Sequence, residues 1–136
     1  SIGQGRVLMS PLSMAMVAAA ADTGTVRSPQ LVVGASGSST TGTTATSQLP
    51  SDVVSDLHEM MASVVASGTA AGQGLPTGTY AKTGTAQYGT STPLKIDAWL
   101  MGFKGDTAFA CLVVNSNGNG GPTCGPIVAR FLNDLP

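Results

Sequence analysis

The chain has 136 residues, enough for one domain or a piece of one. Hydrophobic residues make up 42% and can furnish a core, while charged residues are only 10% and the net charge is -1, so no basic surface exists to hold a phosphate backbone and nucleic acid is excluded as a partner. No apolar run approaches the ~20 residues needed to span a bilayer, and no C-x-x-C or His/Cys cluster points to a metal.

Ser1 opens the chain without a charged-then-apolar leader, so a cut or processed start is expected. Ser10-Pro11 is a cap residue followed by proline at the first helical position. Leu12, Ala15, Met16 and Ala19 follow at helical spacing, and Asp22-Thr23-Gly24 stops the run. An extended piece over Pro29 to Val33 comes next. Residues 36–47 contain only Ser, Gly, Thr and Ala and cannot bury enough apolar surface to offset ordering entropy, so they read as a loop.

A second helix is predicted from about Ser51 to Gly68. Val53, Val54, Leu57, Met60, Met61, Val64 and Val65 form its apolar stripe, with Asp52, Asp56 and Glu59 facing away. The Met pair reads as core, and His58, beside Glu59, as a solvated histidine. The period then changes to extended segments over roughly Gly78 to Gln87, Lys95 to Phe103 and Ala108 to Asn115, the last two joined as a hairpin by Lys104-Gly105-Asp106. Ala98-Trp99-Leu100-Met101 and Phe109 to Val114 are continuous apolar runs, the pattern of strands covered on both faces. After the turn Asn117 to Gly121, a final amphipathic helix is predicted from Pro126, with Ile127, Val128, Phe131, Leu132 and Leu135 on its apolar side. That helix covers one sheet face. The remaining helices fall short of covering the other, so a missing layer is expected and the domain, spanning residues 1–136, reads as incomplete.

The chemistry-bearing motif is Lys82-Thr83-Gly84-Thr85, placed on the first of the three strands. Gly84 removes the side chain that would hold an extended ligand off the strand edge. Thr83 and Thr85 offer hydroxyls suited to a ligand carboxylate. Lys82 adds a positive charge that strengthens that contact and supports proton movement at a nearby nucleophile, and a backbone N–H at the far end of the motif can stabilise an oxyanion. K-T-G occurs with S-x-x-K and S-D-N as the motif set of penicillin-binding proteins and serine β-lactamases.

Other segments carry the resemblance further. Gly3-Gln4-Gly5, the helix start Ser10-Pro11-Leu12-Ser13-Met14-Ala15, the turn Ala21-Asp22-Thr23-Gly24 and Pro29-Gln30-Leu31-Val32 stand in that order. Met60-Met61, Val64-Val65, Gly68-Thr69-Ala70, Lys82 to Ala86 and Asp97 to Phe103 continue it. Together they resemble penicillin-binding transpeptidases over nearly the whole chain apart from the Ser/Thr-rich loop. The resemblance implies an α+β fold, the C-terminal portion of the penicillin-binding/serine β-lactamase-like fold, with a three-stranded antiparallel part of a five-stranded sheet packed with helices. It implies catalytic roles for Lys82 and Thr85, with the Thr85 N–H in the oxyanion hole, and substrate-binding roles for Thr83, Gly84, Thr85 and Gln4.

No S-x-x-K or S-x-N occurs in the chain: Thr79, Thr92 and Met101 stand three residues before its three lysines. Both motifs are expected upstream of Ser1, and acylation by this chain alone is not. The resemblance further implies a D,D-transpeptidase whose partners are the peptidoglycan stem peptide, β-lactams and the upstream part of the same domain, with no cofactor. It implies an extracytoplasmic setting, anchored to the membrane through an N-terminal segment outside this chain. The alternatives are a non-catalytic module binding stem peptide or β-lactam, and part of a serine β-lactamase or D,D-carboxypeptidase. For Cys111 and Cys124 the extracytoplasmic setting leaves two alternatives, a disulfide or buried free thiols. Asp97 reads as a strand-start residue, with a charge partner near the site as its alternative.

Overall fold

A computed structural model describes residues 7–29 and 47–136. Helix α1 spans Pro11–Thr23, with the Ser10 hydroxyl accepting from the Ser13 N–H at 3.1 Å as its cap and Pro11 at its first position. It ends at Gly24, whose φ of 69° is left-handed backbone that glycine adopts without a Cβ clash. Two two-residue strands, β1 (Thr25–Val26) and β2 (Ser47–Gln48), then pair antiparallel. Ser47 therefore belongs to a strand and not to the loop. Gln4, the loop residues 36–46 and the extended piece beyond Pro29 lie outside the described residues.

Helix α2 (Ser51–Ala66) matches its expected stripe only partly. Met61 is buried, but Met60 and Val53 are exposed, at 58% and 39%. His58 is no solvated residue either. Its Nε2 lies 3.2 Å from the Asp22 carbonyl oxygen and 3.8 Å from Asp22 Oδ1, and its ring centroid is 5.0 Å from those of both Tyr80 and Phe103. It ties the end of α1 to the middle of α2.

Strands β3 (Tyr80–Tyr88), β4 (Lys95–Lys104) and β5 (Thr107–Val113) form an antiparallel sheet in the order β3-β4-β5. The register sets Lys82 opposite Met101, Thr83 opposite Leu100, Gly84 opposite Trp99 and Thr85 opposite Ala98. Because successive side chains alternate between faces, Ala98 and Leu100 point one way, with Phe109 beside them, and meet Cys124, Val128 and Leu132 of the last helix, α3 (Gly120–Asn133). Phe103 and Met101 point the other way and meet Ala21 of α1 and Met61 and Leu57 of α2. Both faces of the sheet are covered, as the continuous apolar runs require.

Helix α3 starts at Gly120, well before Pro126, which lies inside it. Proline normally signals a helix start, and here Pro122, three residues into the helix, sits where no N–H bond is needed. Pro126 costs α3 one backbone bond, and the burial of Cys124, Val128, Ala129 and Leu132 outweighs that loss. The expected shortfall on the opposite face takes the form of a groove and not of a bare sheet. Between α1 and α2 lies an apolar groove of ≈ 710 Å³, walled by Met16 and Val17 on one side and Leu57, Met60 and Val64 on the other, with Lys82 and Met101 at its floor.

Candidate active site

Strand β3 is an edge strand of its sheet among the described residues, so a row of its backbone groups faces away from β4. Along it runs a groove of ≈ 330 Å³ lined by Lys82, Thr83, Gly84, Thr85 and Ala86. Trp99 and Met101 of β4 line the same groove, and Val7, Met9 and Met14 close it from the α1 side. The structure thus brings Lys82, Thr83, Gly84 and Thr85 together on one edge. Lys82 borders both this groove and the larger apolar one. Its Nζ donates to the Thr83 carbonyl oxygen at 2.6 Å, which ties the exposed ammonium to the strand.

Gly84 has a second reason beyond ligand approach. A Cβ there would lie 3.1 Å from the Trp99 Cβ, tighter than ordinary packing allows. The glycine lets the indole of Trp99 lie across the strand as part of the groove wall. The two threonines point to the opposite face from Lys82. The Thr83 Oγ1 is 2.5 Å from the Thr69 Oγ1, in the turn that leaves α2. The Thr85 Oγ1 accepts from the Gly120 N–H at 3.4 Å, a long bond from the first residue of α3.

That helix end is seated directly on the motif. An added Cβ at Gly120 would stand 2.2 Å from the Trp99 carbonyl oxygen and 2.4 Å from that of Gly84. One at Gly121 would stand 1.9 Å from the Thr69 carbonyl oxygen. The glycine pair therefore sets how far α3 can advance, and so where β3 stands. Sequence reasoning placed these glycines in a turn, and the functional weight of Thr69, Trp99, Gly120 and Gly121 escaped it. The β4–β5 hairpin fixes Trp99 only against Leu112, and its place opposite Gly84 depends on the β3–β4 register, which the longer connection between those strands leaves open.

Asp97 is a structural residue: its Oδ1 accepts from the Asn115 N–H at 2.9 Å and fastens the chain leaving β5. Partial desolvation, followed by the nearby Asp97 carboxylate, raises the Tyr88 phenol above its ordinary range. Cys111 and Cys124 are free thiols. Cys124, in the core, points its Sγ at the carbonyl oxygens of Ala98 (3.4 Å) and Cys111 (3.6 Å). Burial, and after it the hydrogen bond to the Cys111 side chain, pushes the Cys124 thiol up to about 12.

An α+β domain whose edge strand presents Lys-Thr-Gly-Thr to a groove defines a class of acyl-transfer and β-lactam-recognising folds. Residues 1–133 match the penicillin binding protein transpeptidase domain, and the chain belongs to that family. No significant match is found among curated proteins or among solved structures. Membership gives the chain a penicillin-binding transpeptidase role in general terms, in a family that works outside the cytoplasm. No helix among the described residues is long and apolar enough to cross a membrane.

Proposed function

We propose that this chain is the C-terminal part of a serine D,D-transpeptidase that cross-links peptidoglycan stem peptides and is acylated by β-lactams. The observation that carries the reading is the Lys82-to-Thr85 edge opening onto a groove, with Lys82 also at the floor of the larger apolar groove between α1 and α2. A serine supplied by a helix in that larger groove would stand beside the Lys82 ammonium. Its Oγ attacks the carbonyl of the donor peptide or β-lactam and forms an acyl ester, while the amide C–N bond breaks and its nitrogen takes the serine proton, departing from a peptide and staying tethered in an opened β-lactam. The amine of an acceptor stem peptide then attacks the ester, forms the cross-linking amide and returns a proton to the serine oxygen. Lys82 stabilises the charge that develops, Thr83 and Thr85 receive the ligand carboxylate, and the Thr85 N–H meets the oxyanion. The resemblance to the family adds Gln4, outside the described residues, as a substrate-binding residue. The serine and its S-x-x-K lysine, together with S-x-N, belong to sequence upstream of Ser1, as does the segment that anchors the protein outside the cytoplasm.

Intact mass after incubation with a fluorescent penicillin tests this. The chain alone takes no covalent label, and the natural full-length polypeptide takes one. A covalent adduct on the chain alone contradicts the assignment of the nucleophile, and saturable but reversible binding favours a non-catalytic recognition module instead. In the oxidising setting of this reading, a disulfide between Cys111 and Cys124 is the alternative to the two free thiols, and the mass of the secreted protein decides between them: a loss of two hydrogens marks the bridge, and two alkylated thiols its absence.

A further inference from the structure

The turn that leaves α2 delivers a residue to the motif. After Ala66 the chain is held by the Gly68 N–H donating to the Ser63 carbonyl oxygen (3.0 Å) and the Ala70 N–H to that of Val64 (3.0 Å). Ala70 is buried at 1% exposure and anchors the turn in the core. On its other side the Thr69 peptide is pressed by Gly121, which has no room for a β-carbon there. Thr69 is thus fixed from three directions while its side chain stays at the exposed edge, with its hydroxyl 2.5 Å from that of Thr83.

The geometry points to Thr69 as a positioning residue for the ligand-carboxylate contact of Thr83, an inference that rests on the transpeptidase reading above. Each hydroxyl carries one proton and two lone pairs. When Thr69 donates to Thr83, the Thr83 proton is released for an acceptor lying along the strand edge. A carboxylate taking that proton makes the Thr83 oxygen a better acceptor for Thr69, so the two bonds strengthen each other. Without the Thr69 hydroxyl the Thr83 rotor is free to turn away, and the carboxylate meets a hydroxyl that must first be ordered. Thr69 itself touches no reacting atom.

The test uses the natural full-length polypeptide with Thr69→Val, which keeps the shape and loses the hydroxyl, and Thr69→Ser, which keeps the hydroxyl. Acylation rates are measured with a penicillin and with the methyl ester of its carboxylate. Expected is an about three- to tenfold loss for T69V with the free acid, the size of one hydrogen bond. T69S stays near wild type, and the ester reacts with T69V and wild type alike. Equal losses for acid and ester would make Thr69 merely structural, and T69V reacting as wild type with the free acid, or T69S as poor as T69V, would overturn the inference. Wild type that takes no penicillin at all overturns the transpeptidase reading itself, a different failure from any of these.

Discussion

A β-carbon added at Gly120 would stand 2.2 Å from the Trp99 carbonyl oxygen, 2.4 Å from the Gly84 carbonyl oxygen and 3.1 Å from the Gly84 nitrogen. Carbon and oxygen need more than 3 Å, and all three atoms are backbone, so no rotamer change relieves the clash. In Gly120→Ala either α3 backs away by about 1 Å or β3 and β4 separate at the motif. Backing away loosens Cys124 and Val128 in the core and breaks the Gly120 N–H bond to Thr85. Overpacking of this kind costs about 1–3 kcal/mol, and the long hydrogen bond adds at most about 1 kcal/mol. The expected result is a destabilisation of about 1–4 kcal/mol in urea unfolding of the full-length polypeptide, from the shift of the midpoint at constant m. Penicillin acylation should fall as well, because Gly84 and Thr85 are the residues displaced. A G120A protein that unfolds within about 0.5 kcal/mol of wild type and acylates at the same rate would refute the reasoning that this glycine sets the strand.

Gly84→Ala places a methyl group 3.1 Å from the Trp99 Cβ and narrows the groove at its centre. It should lower acylation at least about tenfold while costing no more than about 1–2 kcal/mol of stability, read by parallel acylation and melting. Leu100→Ala empties a fully buried site between the sheet and α3, and about 2–5 kcal/mol should be lost in denaturant unfolding. The Cys124 thiol, at about 12 in the folded chain against an ordinary 9.0, ionises more readily once unfolded. The unfolded state therefore binds fewer protons above pH 9, and stability should fall as pH rises from 9 towards 12, by at most about 1.4 kcal/mol per pH unit. Cys124→Ala should flatten that part of the pH–stability curve, and an unchanged slope would contradict the cause.

Where local chemistry decides the structure, the sequence is a good guide. Ser10-Pro11 caps α1 as its residue types demand, and the β4–β5 hairpin follows from a two-residue turn between apolar runs. Lys82 to Thr85 is legible because strand, glycine and charge coincide in four residues. What escapes is set by partners distant in the chain. Gly120 and Gly121 are poor helix formers, so they read as a turn, yet they open α3 because only glycine clears the carbonyls of Trp99, Gly84 and Thr69. His58 reads as solvated because its partners, Asp22, Tyr80 and Phe103, come from three other elements. Strands β1 and β2 are two residues each, too short to carry a period. Met60 and Val53 fit the core stripe of α2 but stand exposed, Met60 at the groove, where the stripe outlasts the surface available to cover it.

The most direct test of the central claim is a crystal structure of the full-length polypeptide acylated by a penicillin. The ligand should lie along the edge of β3, with its carboxylate on the Thr83 and Thr85 hydroxyls, its carbonyl oxygen at the Thr85 N–H and the Lys82 ammonium beside the acylated serine. A penicillin bound covalently elsewhere, with Lys82 to Thr85 empty, would contradict the account.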